Sequence, residues 1–197
     1  MIRSVANMPA AVLCRTPGER PVKVTEQKQK GFNIIELMVV LAVASILLSV
    51  GVPSFRSVIM DNRLSNQSNS FVTAINSARS YAVRYQRNAT ICATADYSAA
   101  VPTCDATTDW SNGWFVWVDK NRDSITDANE VISVHEPLAD TSTFASTAAS
   151  SFSYDARGFS LNGGDDLTLC DNRTAETGRL IRVNNVGRTS VSRQTCS

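Results

Sequence analysis

The sequence predicts an α+β protein: one long N-terminal helix, half membrane segment and half amphipathic, packed on an antiparallel β-sheet domain. Three observations predict it. Residues Phe32–Val52 form an almost unbroken apolar run. Farther on, Phe71, Ile75, Ala78, Ala82 and Tyr85 recur at alternating spacings of four and three, the apolar stripe of an amphipathic helix. From Thr90 onward that period stops, and short β-branched and aromatic runs alternate with Gly, Asn, Asp and Pro turns. Helix first and strands after is the order of an α+β fold.

Within the apolar run the only ionisable residue is Glu36. About 20 apolar residues, at a rise of about 1.5 Å each, cross a bilayer core of roughly 30 Å. The charge around the run is asymmetric. Residues 1–31 carry Arg3, Arg15, Arg20, Lys23, Lys28 and Lys30 against Glu19 and Glu26, a net +4, whereas the whole chain of 197 residues is only +1. A basic flank before the span orients the N-terminus to the cytoplasm and the remainder outside. A carboxylate in hydrocarbon is costly without a partner. Cutting the chain after Gly31 would supply one, because Phe32 would become a positive N-terminus. That amine does not easily reach Glu36 of its own rigid helix, but it reaches Glu36 of a neighbouring copy displaced along a helical stack.

The segment Lys30-Gly31-Phe32-Asn33-Ile34-Ile35-Glu36-Leu37-Met38-Val39-Val40-Leu41 resembles the prepilin signature of type IV pilins and type II secretion pseudopilins. Asn33 stands where Thr is usual and Ile35 where Leu is usual; Pro53 falls at the family's helix-kinking proline. The resemblance implies that a prepilin peptidase cuts after Gly31 and methylates Phe32. It also implies that Glu36 guides assembly with other pilins through the N-terminal helix, and that the subunit is stored in the inner membrane with its C-terminal domain in the periplasm. The chain then divides into a leader (1–31), a transmembrane and assembly helix (32–53), an amphipathic helix half (54–88) and a β-rich periplasmic domain (89–197). The cut precedes the apolar segment, so that segment stays in the mature protein and Cys14 is lost. Cys92, Cys104, Cys170 and Cys196 remain, an even number for an oxidising compartment. Of their three connectivities, the short loop Cys92–Cys104 and the tail-tying Cys170–Cys196 are favoured; no Cys-x-x-Cys spacing supports zinc.

One helix is expected from about Phe32 to about Arg87, bent near Pro53 and weakened in the polar run Ser65–Ser70. Strands follow at Thr90–Thr94, Gly113–Val118, Val131–Val134, Ser151–Tyr154, Leu167–Cys170, Leu180–Val183 and Thr189–Val191, with a loop over Tyr97–Asn112. Trp114 and Trp117 point to opposite faces of their strand, so one of them is expected at an interface. The Gly113-Trp114 strand, the acidic turn Asp119–Glu130, Phe152–Gly158, Leu169-Cys170-Asp171 and Gly187-Arg188 resemble the FimT/GspH branch of the pilin-like proteins. Members are minor pilins of type IV pili or minor pseudopilins of type II secretion, which implies assembly rather than enzymatic work.

Two segments are candidate ligand sites. Asp96–Asp171 is strongly acidic, net −10, whereas Asn172–Ser197 carries Arg173, Arg179, Arg182, Arg188 and Arg193 against Glu176, net +4. Arginine suits phosphate because its fork gives two donors and stays charged, and a few such contacts hold double-stranded DNA without sequence preference. FimT-type pilins linked to transformation carry a Gly-Arg-x-Arg element near the C-terminus. Here Gly187-Arg188-Thr189 matches its first part and Ser190 takes the place of the second Arg. The other candidate is the turn holding Asp119, Asn121, Asp123, Asp127 and Glu130. Oxygens at its positions one, three, five, nine and twelve match a calcium loop, though Ser124 stands where Gly is wanted. Lone His135 has no partner motif, and no catalytic residue is assigned.

Overall fold

The computed structural model describes residues 31–139, 141–173 and 177–196. The leader read from the sequence, with Cys14 and its basic residues, lies outside the described residues apart from Gly31. The described residues fall into two units, the first ending at Ile46 and the second beginning at Leu47.

Helix α1 runs over Ile34–Tyr85. Asn33 caps it: its side-chain Oδ1 accepts the Ile35 N–H at 3.4 Å, and its carbonyl accepts the N–H groups of Glu36 and Leu37 at 3.0 and 3.2 Å. The helix continues through Pro53 and, against expectation, through the polar run Ser65–Ser70. There Ser65 and Ser68 turn their hydroxyls back onto the carbonyls of Asp61 and Ser65, each at 2.9 Å, so they do not compete for the helix's N–H groups. Leu64 and Ser68 extend the buried stripe of Phe71, Ile75, Ala78 and Ala82. Tyr85, read as part of that stripe, is instead exposed at the helix end and stacks on Tyr81. Gln86, at φ 54°, ends the helix in the left-handed region, with the Arg87 N–H on the Ala82 carbonyl.

Eight strands follow: β1 Ala89–Ala93, β2 Trp114–Val118, β3 Val131–His135, β4 Ser142–Ser146, β5 Ser151–Tyr154, β6 Asp165–Asp171, β7 Thr177–Val183 and β8 Thr189–Thr195. They form two four-stranded antiparallel sheets, β3-β2-β1-β5 and β4-β6-β7-β8, where the sequence suggested one. Phe71 of α1 joins both. Its ring meets Trp110, Trp114 and Phe144 edge-on at 5.2, 5.3 and 4.9 Å, so loop, first sheet and second sheet converge on one helical side chain. All three tryptophans are buried, which removes the expected interface Trp. Trp114 lies in the main core, and Trp117 lies on the other face of β2 with Cys92 and Phe115. Cys92 bridges to Cys104, and Cys170 to Cys196.

Candidate functional sites

At the N-terminal end, Gly31 and Phe32 precede the helix and are exposed, Phe32 by 84%. Glu36 lies in the first turn, on an exposed helix surface made of Ile34, Ile35, Leu37, Met38 and Val39. Among the described residues α1 is the one helix long and apolar enough to cross a membrane. An accessible Gly–Phe bond, an exposed acid and an exposed apolar surface stand together here, and no other described residue covers them.

The arginines of the C-terminal segment split into two groups. Arg173 is largely buried. Its Nη2 sits 2.7 Å from Asp171 and 2.8 Å from Asp61, tying the end of β6 to α1. Burial alone would raise the Asp171 carboxyl, but hydrogen bonds from the Arg173 side chain and N–H, with its charge, outweigh this and hold the group below the usual carboxylate range. Arg182 forks onto its cross-strand neighbour Asp166, with Nε and Nη2 each at 2.8 Å, and its hydrogen bond lowers that carboxyl. Arg179 turns onto the carbonyls of Thr177 and Gly178 and onto Ser65 Oγ of α1 at 3.0 Å. Only Arg188 and Arg193 keep guanidinium groups with no ion pair or side-chain hydrogen bond among the described residues, and both are exposed. The five-arginine patch read from the sequence is therefore a two-arginine patch.

Gly187 has a structural task. It has φ +81°, and a Cβ there would overlap Cε1 of the fully buried Tyr154 ring. The Tyr154 hydroxyl donates to the Gly187 carbonyl at 3.2 Å. Burial pushes this phenol up to about 12, against the opposing charge of Arg79.

In the acidic turn, Asp119, Asp123 and Glu130 bring carboxylate oxygens within 4.8 Å of one another. Asn121 and Asp127 do not join them as ligands: Asn121 Nδ2 donates to Asp123 and Asp127 at 2.9 and 3.1 Å. The carboxylates are taken up by the turn itself. Buried Glu130 accepts the N–H groups of Lys120, Asn121 and Asp127 at 2.7, 3.2 and 3.3 Å, and Asp119 accepts that of Arg122 at 2.7 Å. Of the five residues, Asp119, Asp123 and Glu130 converge, and the turn's own Asp and Asn hydrogen bonds account for its shape. His135, unassigned in the sequence, stacks on Trp114 at 3.9 Å.

Sequence reasoning missed the carboxylates that capture Arg173 and Arg182. Asp61 lies 112 positions from its partner Arg173, and Asp166 meets Arg182 only through the β6–β7 register. No local signal in the sequence marks either pairing.

A Gly–Phe step ahead of a helix whose apolar half bears a single acid, and whose second half lies on a β-sheet domain, defines a pilin-like protein. The chain belongs to the family described as Type II transport protein GspH, which matches residues 67–187. The prokaryotic N-terminal methylation motif matches residues 27–52. Two crystal structures of the type IV minor pilin FimU of Pseudomonas aeruginosa (strain PAO1) share the fold. One has a TM-score of 0.54 at 20% identity, covering 70% of this chain and 96% of that one. The other has 0.51 at 19%, covering 68% and 97%. No curated protein sequence matches the chain.

Proposed function

We propose that this chain is a minor pilin that takes part in type IV pilus assembly and initiation, with a structural rather than enzymatic role. The observation that carries this is the uncovered apolar half of α1, bearing Glu36 in its first turn directly behind an exposed Gly31-Phe32 bond. Cleavage after Gly31 by a prepilin peptidase frees the amine of Phe32, which is then methylated. In the inner membrane the helix is solvated by lipid; in a filament the same surface packs against other pilins. Glu36 then neutralises the Phe32 amine of an adjacent subunit, which removes the cost of the buried acid. The β-rich domain stays periplasmic until assembly.

The test is expression beside a prepilin peptidase, with mass spectrometry of the N-terminus and a count of surface pili. Wild type should begin at N-methyl-Phe32 and support piliation. Glu36→Ala should be processed yet should fail to support pili. A mature chain that retains residues before Phe32, or Glu36→Ala that assembles normally, would overturn the reading. The family description favours a second context, a minor pseudopilin of a type II secretion system. Deletion separates the two, since loss of pili with intact secretion supports the first and the converse supports the second.

Exposed, unpaired Arg188 and Arg193 support double-stranded DNA as a ligand in transformation. Two neutralised phosphates give a slope of log K against log salt of about −1.8, and Arg188→Ala with Arg193→Ala should abolish it. Equal binding by that variant removes the DNA role and leaves the assembly role standing.

A further inference from the structure

The two sheets have four edges, β3, β5, β4 and β8, and they are not treated alike. The outer side of β4 is covered by residues 108–111: the Trp110 N–H donates to the Phe144 carbonyl at 2.7 Å, and the Ser146 N–H to the Thr108 carbonyl at 2.9 Å. That of β5 is covered by residues 161–162, where Leu161 N–H donates to the Ser153 carbonyl at 2.8 Å and Asn162 Oδ1 accepts the Ser153 N–H at 2.9 Å. Strands β3 and β8 have no such cover among the described residues.

Strand β8 is open in a defined way. Asn184 N–H donates to the Arg188 carbonyl at 2.9 Å, so the pairs 182/190, 180/192 and 178/194 carry the ladder to β7. Alternation then turns the N–H and C=O groups of Thr189, Val191, Arg193 and Thr195 away from β7, toward the open side. Residues Ser190–Arg193 are exposed on both faces, and Val191 shows 42% of its surface. Of the devices that usually blunt an edge, the strand has no Pro, no Lys and no bulge, and its one charged side chain is Arg193. A C-terminal strand with so little burial would ordinarily fray. This one is held straight, by the Gly187 turn packed under Tyr154 at one end and by the Cys170–Cys196 bridge at the other.

The two open edges carry opposite charge. Arg188 and Arg193, unpaired, mark β8. Strand β3 has Ser133 and Val134 exposed, bulges against β2 at Ile132, and lies between a turn with exposed Asp123, Asp127 and Arg122 and exposed Glu136, so its flanks are acidic on balance. We propose that β8 of one copy of this chain adds to β3 of a second copy, by edge-to-edge β-pairing steered by these charges. The contact joins unlike surfaces, so each copy keeps one edge free and the pairing propagates head to tail. This goes beyond the assembly reading, which runs through the apolar helix, and it does not depend on DNA.

The test uses the full-length chain with Cys14→Ser in membranes, in two differently tagged forms, one with Ser133→Cys and one with Val191→Cys, treated with a short bis-maleimide. The expected result is a mixed dimer that needs both forms. Thr189→Pro in the Val191→Cys chain removes one outward N–H while leaving the β7 ladder and both arginines intact. It should cut the mixed product by about five- to tenfold, the factor one lost ladder bond carries, while DNA binding stays unchanged. Arg193→Glu should also lower the product, and Glu136→Arg in the partner chain should restore it. The proposal is overturned by a yield no greater than that of a Ser80→Cys control pair, by Thr189→Pro having no effect, or by a product only between two Val191→Cys chains, which would assign the edge to a two-fold β8 pair.

Discussion

Gly187→Ala tests whether the Gly187-Arg188 element is there for folding or for contact. The backbone at Gly187 has φ +81°, which costs an L-residue about 1 kcal/mol. The added methyl would overlap Tyr154 Cε1 and lie 3.2 Å from Cδ1 and Cζ of the same ring. Tyr154 is fully buried and its hydroxyl is bonded to the Gly187 carbonyl, so the ring has nowhere to retreat. Overpacking of this kind costs about 1–3 kcal/mol. The sum is a loss of about 2–4 kcal/mol, measured by urea denaturation of the chain from Asp61 onward. The backbone and packing contributions are separable. In a Tyr154→Leu background the ring is gone, and Gly187→Ala should cost only the backbone part, about 1 kcal/mol. Equal costs in the two backgrounds would refute the packing argument, and no cost in either would refute both parts.

Breaking Cys170–Cys196, which closes a 26-residue separation, should cost about 3.5 kcal/mol on the chain-entropy estimate, read as a drop in the urea midpoint of the double Ser variant. Ser124 sits at φ 62°, so Ser124→Gly should raise stability by about 1 kcal/mol, seen as a higher melting temperature. Glu130→Ala should lower it by about 3 kcal/mol, since three N–H groups lose a buried acceptor, and added calcium should not change either variant's melting. Stability should fall at both ends of the pH scale. Asp171 and Asp166 are depressed in the fold, so their contribution is full above about pH 4 and is lost as pH drops through their folded values. Tyr154 is raised from 10.0 to about 12, so its contribution is full below pH 10 and is lost as pH climbs toward 12, a limb that Tyr154→Phe should flatten in a melting series.

What the sequence made legible was whatever repeats at a local period. The stripe Phe71, Ile75, Ala78 and Ala82 is buried throughout, and seven of the eight strands stand in apolar or alternating runs. Strand β4 was invisible because two of its three inward residues are Ser142 and Ser146, leaving Phe144 as the only apolar mark. The division into two sheets was hidden for a related reason: β4 pairs with β6 rather than with its neighbour β5, and nothing local encodes that choice. The same limit governs the basic patch. Charge counting gave five arginines, but whether a guanidinium is free depends on register and on distant carboxylates. Asp166 stands opposite Arg182, and Asp61 of the helix reaches Arg173, so only Arg188 and Arg193 remain as ligand groups.

The way β8 is held separates folding from function in this domain. Burial stabilises a strand, yet β8 places no residue in the core before Cys196 at its end. A strand that contributes so little apolar burial gains almost nothing from being ordered, because fixing each backbone residue costs about 1–2 kcal/mol. Here the order is imposed from outside the strand, by the ladder to β7, by the turn under Tyr154 and by a covalent bridge. Of the described C-terminal arginines, the two without an ion pair or side-chain hydrogen bond lie on or next to this strand, and every second residue turns its backbone donor and acceptor outward. Like charges directly opposite each other in a sheet are unfavourable, and Arg193 is opposite Arg179, so it is not there for intramolecular stability. An ordered, open, basic edge is a surface on which a second molecule can replace water, with oxygens that come from a neighbouring strand or from phosphate. Thr189→Pro distinguishes the two, because it removes a backbone donor that strand pairing needs and leaves both arginines in place, whereas loss of the arginines weakens either contact.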